Sequence, residues 1–94
     1  MSASGPVDAE ILAVVDAVER RASDRGEALP ALRSVRNLVV NDEAELAIDY
    51  LVNTANAFGL PLRQDEHEQL MAAAARLDYA DAVTDLDPRL LQRP

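Results

Sequence analysis

The chain has 94 residues, with 17 acidic side chains against 9 basic ones and a net charge of -8. All nine bases are arginine, alanine fills 17 positions, and there is no cysteine, lysine or tryptophan. This length fits one small domain. The composition excludes a disulfide framework, a cysteine-ligated zinc site and a thiol nucleophile, and the acid excess disfavours direct binding to a phosphate backbone.

The start of the chain lacks a basic region followed by an uninterrupted apolar stretch, because Asp8, Glu10 and Asp16 break the first apolar run. It does not read as a signal peptide, and no run reaches the length of a membrane span. A cytoplasmic location with no membrane contact is the expectation.

Apolar spacing predicts a first helix over about Val7 to Ser23, with Val7, Ile11, Val14, Val15, Val18 and Ala22 on one stripe. Ser4 or Gly5 can cap it, Pro6 suits its first turn and Gly26 its end. Arg20, Arg21 and Arg25 fall at its negative dipole end. A second helix over Leu29 to Val40 would bury Leu32, Val35, Leu38 and Val39. A third, over Glu43 to Phe58, would bury Ala44, Ala47, Ile48, Leu51, Ala55 and Phe58, stopping at Gly59. Its opposite side carries Asp42, Glu45, Asp49, Asn53 and Asn56, acidic at its start and asparagine-rich at its end. A short link, Gly59 to Leu62, leads to a fourth helix from Arg63 or Gln64 to Leu77, with Leu70, Ala73, Ala74 and Leu77 inward. Asp78 to Leu86 forms a short fifth helix, ended by Pro88, after which Leu90 and Leu91 either pack back or fray. No segment alternates with period two, so no sheet is expected. The prediction is an all-α, single-domain bundle over residues 1–94, of four main helices and a short C-terminal fifth, with its core in residues 7–86.

Catalytic signatures are weak. His67 sits in Asp65-Glu66-His67-Glu68, but a zincin helix needs a second histidine four residues on, and that position is Met71. None of the hydroxyl residues lies in a nucleophile elbow, and the isolated glycines form no phosphate-cradling loop. No catalytic residue, cofactor site or metal ligand is predicted, and no enzyme activity.

The informative feature is where the acid lies. Between Val39 and Leu62 there are four acids and no base, whereas Arg20, Arg21, Arg25, Arg33 and Arg36 crowd the first two helices. If the third and fourth helices are antiparallel, Asp42, Glu43, Glu45 and Asp49 meet Asp78, Asp81 and Asp85 at one end of the bundle. Such an end would steer a basic partner. Net charge that merely keeps a small domain dispersed is the plainer alternative. Tyr50 and Tyr79 are the aromatic anchors that such a surface would use, unless they only pack at the core boundary.

The segments Glu45-Leu-Ala-Ile-Asp-Tyr-Leu-Val52, Phe58-Gly-Leu-Pro-Leu62 and Asp65-Glu-His-Glu-Gln-Leu70 follow a recognisable pattern. The match lies in Ala47, Ile48, Asp49 and Leu51, then Leu60, Pro61 and Leu62, then Asp65, Glu66, His67, Glu68 and Leu70. It resembles the small helical immunity proteins of the MafI type, from bacterial polymorphic-toxin and contact-dependent inhibition cassettes. The resemblance spans about Leu32 to Leu77, and His67 stands where an aromatic is usual. It implies a non-enzymatic inhibitor of a cognate toxin domain, often a nuclease, carried by a secreted effector. Its partner-binding residues would be Asp42, Glu43, Glu45, Asp49, Tyr50, Asn53, Asp78, Tyr79 and Asp81. A helical adaptor or regulatory subunit that buries an apolar stripe is the alternative, and a small enzyme or metal protein built around His67 a third. The sequence offers no symmetric interface from which to argue a homodimer, and a monomer is compatible with it.

Overall fold

The computed structural model describes residues 5–26 and 29–92. Five helices follow in order: α1 (Gly5–Asp24), α2 (Pro30–Val40), α3 (Ala44–Phe58), α4 (Gln64–Arg76) and the short α5 (Ala80–Thr84). The protein is an all-α bundle. Ser4, one of the two caps expected for α1, lies outside the described residues.

Each main helix buries the stripe its spacing implies. Ile11, Val14, Val15 and Val18 of α1, Leu32, Val35 and Val39 of α2, Ile48 and Leu51 of α3, and Leu70, Ala73 and Ala74 of α4 share one core. Val83 of α5 joins them, as do Leu60 and Leu62 of the α3–α4 link. Burying a Leu, Ile or Val is worth about 1.5–3 kcal/mol. That distributed contribution is the main force holding together a chain with little aromatic content.

Ion pairs fix the order of packing. Near the end of α1, Arg21 grips Glu66 in the first turn of α4, and near the start of α1, Glu10 accepts from Arg76 in the last turn of α4 at 2.7 Å. Both contacts hold at once only if α1 and α4 run antiparallel. Arg36 of α2 likewise bridges Asp16 and Glu19 of α1. α4 therefore packs chiefly on α1, and α3 chiefly on α2.

Three helices end in the same hydrogen-bonded cap. After α2, the N–H of Asp42 donates to Val39 O and that of Glu43 to Leu38 O. After α4, Asp78 and Tyr79 donate to Ala75 and Ala74 in the same way, and after α3 the N–H of Leu60 reaches Ala55 O. These are Schellman-type closures, which require a left-handed residue. Gly59 supplies it after α3, at φ 65°, but Asp42 (φ 65°) and Asp78 (φ 56°) supply it in the other two.

Two expectations are corrected. No sheet was anticipated, yet Leu62–Arg63 (β1) and Leu91–Gln92 (β2) pair as a two-residue parallel ladder, Leu62 opposite Leu91. Two residues are too few to show alternation; a 3-10 turn over Pro88–Leu90, started by the Asp87 carboxylate accepting from Arg89 N–H, sets the tail beside β1. Leu90 and Leu91 accordingly pack back onto the core. The second correction is Phe58, placed in the core by its angle on α3 but 59% exposed. It is the last residue of the helix, and an inward angle buries a side chain only where a neighbour stands opposite.

Candidate partner-binding face

The start of α3 and the end of α4 meet as the antiparallel arrangement requires. Asp42, Glu43, Ala44, Glu45, Leu46 and Leu77 line one open groove of about 440 Å³. Asp78 follows Leu77 directly, and Asp81 stands in the first turn of α5, which packs against both α3 and α4. Glu43 occupies the N-cap position of α3, where its carbonyl accepts from Ala47 N–H at 2.9 Å. The acids here also suit the positive end of the α3 dipole.

Asp42, Glu43, Glu45, Asn53, Asp78 and Asp81 are exposed, and Asp49 is half-buried. Among the described residues no arginine pairs with Glu43, Glu45, Asp49, Asp78 or Asp81, whereas Asp85, expected at this end, lies beside Asn56 in the last turn of α3. Arg76, the nearest base in sequence, is turned away to Glu10 of α1. The arginines of the first two helices are likewise committed in part: Arg21 and Arg36 are held in ion pairs inside the bundle. The charge of Glu43, Glu45, Asp49, Asp78 and Asp81 is therefore not neutralised by an arginine, and its field reaches solvent.

The two tyrosines differ. Tyr50 is 41% exposed on α3, so its ring is presented outward. Tyr79 is half-buried against the core and closes the α4 cap through its N–H, so packing accounts for it. Asn56, expected on the free polar stripe, is committed too. Its Nδ2 donates to Asp85 O at 3.0 Å and its Oδ1 accepts from Asp87 N–H at 2.8 Å, clamping the segment after α5 to the end of α3.

Sequence reasoning missed the exposed apolar residues beside the acids. Leu46 is 53% exposed and Val40, at the end of α2, 72%. The signal for Leu46 was available: 100° per residue puts it about 140° from Leu51, on the outward side of α3.

Among the described residues the buried charged group lies elsewhere. The Glu66 carboxylate accepts from Arg21 Nη1 and Nη2, both at 2.6 Å, and from Arg63 N–H at 2.9 Å. Arg21 Nη2 also reaches Pro61 O at 3.0 Å. Burial pushes the Glu66 carboxyl up, but the Arg21 hydrogen bonds, the Arg63 N–H and the Arg21 charge together hold it below its ordinary value. The same bonds raise Arg21. Every partner in this cluster is internal and it ties α1, the α3–α4 link and α4 together, so its role is architectural. His67, next to it, is half-buried. Among the described residues no group of three or more histidine, cysteine or acidic side chains is placed to hold a metal ion, and no helix is long and apolar enough to cross a membrane.

No family model matches the chain, and no curated protein or solved structure matches it significantly.

Proposed function

We propose that this protein is a non-catalytic inhibitor of the immunity type, acting in the cytoplasm. It binds the toxin domain of a secreted effector and covers that domain's active site with the acidic end of the bundle. The observation that carries this reading is the groove where Asp42, Glu43 and Glu45 meet Leu46 and Leu77, with no neighbouring arginine neutralising Glu43 or Glu45. A nuclease-type toxin fits it, because a cleft built for a phosphate backbone is basic and would meet complementary charge here. The resemblance of residues 32–77 to MafI-type immunity proteins supports the same class.

The test is co-expression with the variable C-terminal domain of a secreted effector encoded beside this chain. Growth should be rescued, and the purified pair should associate fast at low salt and more slowly as salt rises. The triple variant Asp42→Asn, Glu45→Lys, Asp49→Lys keeps a residue suited to positive φ at position 42. It should slow association by about tenfold or more at low salt. An unchanged rate and full protection by this variant would overturn the acidic-plug reading.

The exposed apolar side chains Leu46, Tyr50 and Phe58 favour a second reading, a helical adaptor or regulatory subunit of a larger assembly. Partner binding that is insensitive to salt would select it over the first.

A further inference from the structure

α3 presents apolar residues on two sides. Its inward arc carries Ala44, Ala47, Ile48, Leu51, Val52 and Ala55, all buried. On the outward side, Leu46, Tyr50, Asn53 and Ala57 are all exposed. At 100° per residue these four fall within an arc of about 60°, centred roughly opposite the buried one. Their spacing of four, three and four residues is that of a helix-packing seam, and it runs about 17 Å along the axis. Asn53 takes the position at which a single polar residue sets register in such seams. Phe58 stands at the far end of the helix, 59% exposed.

Charge on either side of the seam narrows what can cover it. Glu45 and Asp49 border one edge, Glu43 stands at the other near the helix start, and none of the three meets an arginine. A second copy of this chain would bring its own Glu45 and Asp49 to the same edges, with each chain at a net charge of -8. An anionic membrane surface meets the same repulsion. A helix with an apolar stripe bordered by arginine or lysine meets attraction instead.

We propose that the outward seam of α3 docks a basic amphipathic helix of a partner protein. Leu46 and Tyr50 supply the apolar anchors, Asn53 sets the register, and Glu43, Glu45 and Asp49 fix the orientation by pairing with bases beside the partner's apolar stripe. A basic residue at the end of that helix enters the groove between Leu46 and Leu77, its stem on the leucines and its charge on the carboxylates. The proposal rests on the inhibitor reading only for whose helix it is: in that reading, the helix belongs to the toxin domain.

The probe is a synthetic helix of about 18 residues with leucines at seam spacing and arginines beside them. It is titrated into the whole chain at about 0.15 M salt and followed by amide chemical shifts. Shifts should gather on Leu46, Tyr50, Asn53 and Ala57. The variant Leu46→Ala, Tyr50→Ala should bind about tenfold or more weakly while keeping its unfolding midpoint, since both side chains are exposed. Equal binding of a scrambled peptide of the same composition, shifts confined to α1 and α2, or no binding at millimolar peptide would each overturn the proposal. So would a dimer in sedimentation equilibrium that Leu46→Ala dissociates. Equal neutralisation of a cognate toxin domain by parent and variant would overturn the seam and leave the inhibitor reading standing. Peptide binding at the seam with no toxin domain neutralised would do the reverse.

Discussion

Replacing Arg21 with alanine should destabilise the protein more than replacing Glu66, although the two make the same ion pair. The Glu66 side chain is 9% exposed and that of Arg21 is 29% exposed. Arg21→Ala removes two of the three hydrogen bonds to the carboxylate and strands a charge with only the Arg63 N–H. Breaking a fully buried pair costs about 3–5 kcal/mol, and water entering where the guanidinium stood lowers this to about 2–3 kcal/mol. Glu66→Ala leaves an arginine already near solvent, which can turn outward, so about 1–2 kcal/mol is expected. The double variant Arg21→Met, Glu66→Leu should return to within about 1 kcal/mol of the parent, because apolar replacement strands no charge. The pair is also imperfect, since Arg21 Nε is buried with no acceptor. Urea unfolding followed by circular dichroism measures all three; with a slope of about 1 kcal/mol per molar, Arg21→Ala lowers the midpoint by about 2 M.

The pH dependence gives this reasoning a sign. Glu66 titrates lower in the folded state than in the unfolded chain. Its stabilising contribution is therefore complete above the ordinary glutamate range and fades as pH falls through the folded value, where the pair is lost. In Arg21→Ala, burial is opposed only by one N–H, so the carboxyl titrates higher and is neutralised sooner on acidification. The stability gap between parent and Arg21→Ala should thus narrow from pH 7 towards pH 4. A gap below about 0.5 kcal/mol at pH 7, or one that widens in acid, would refute the account of Glu66 as a charge held buried by Arg21.

Two more stability effects follow from local geometry. Asp78, at φ 56°, closes the α4 cap. Asp78→Asn should leave stability within about 0.5 kcal/mol, whereas Asp78→Ala should cost about 1 kcal/mol, both read from thermal or urea unfolding, because asparagine tolerates the left-handed region and alanine does not. Asn56→Ala removes both clamps on the segment after α5 and should cost about 1 kcal/mol. Amide exchange should quicken over residues 85–92 more than in α1 or α4.

Much of the fold was legible because it rests on period. The stripe Val7, Ile11, Val14, Val15, Val18 could be read from spacing alone, and it is buried throughout. What escaped depends on partners distant in sequence. Arg21 sits where a helix dipole would favour a cation, which gave it a sufficient local explanation. Its pairing with a residue 45 positions away has no signature in either neighbourhood. β1 and β2 are similar: each is two residues long, and the Asn56 clamp and the 3-10 turn at Pro88 bring them side by side.

The acidic end shows why charge pattern alone under-describes such a surface. Charge places Asp42 and Asp78 on the binding face, and both also hold the left-handed position of a helix cap, the place that usually calls for glycine. Aspartate tolerates that backbone, so keeping it over glycine puts a charge where the cap needs none. Both caps point their aspartates to the same end of the bundle, beside Glu43 and Glu45 and the groove at Leu77. A charge with a structural duty can be separated from one with a binding duty, since asparagine preserves the cap and removes the charge. Association that slows in Asp42→Asn, Asp78→Asn with an unchanged unfolding midpoint would assign the carboxylates to the partner. Unchanged association would leave them as caps, and the steering would then rest on Glu43, Glu45 and Asp49 beside the α3 seam.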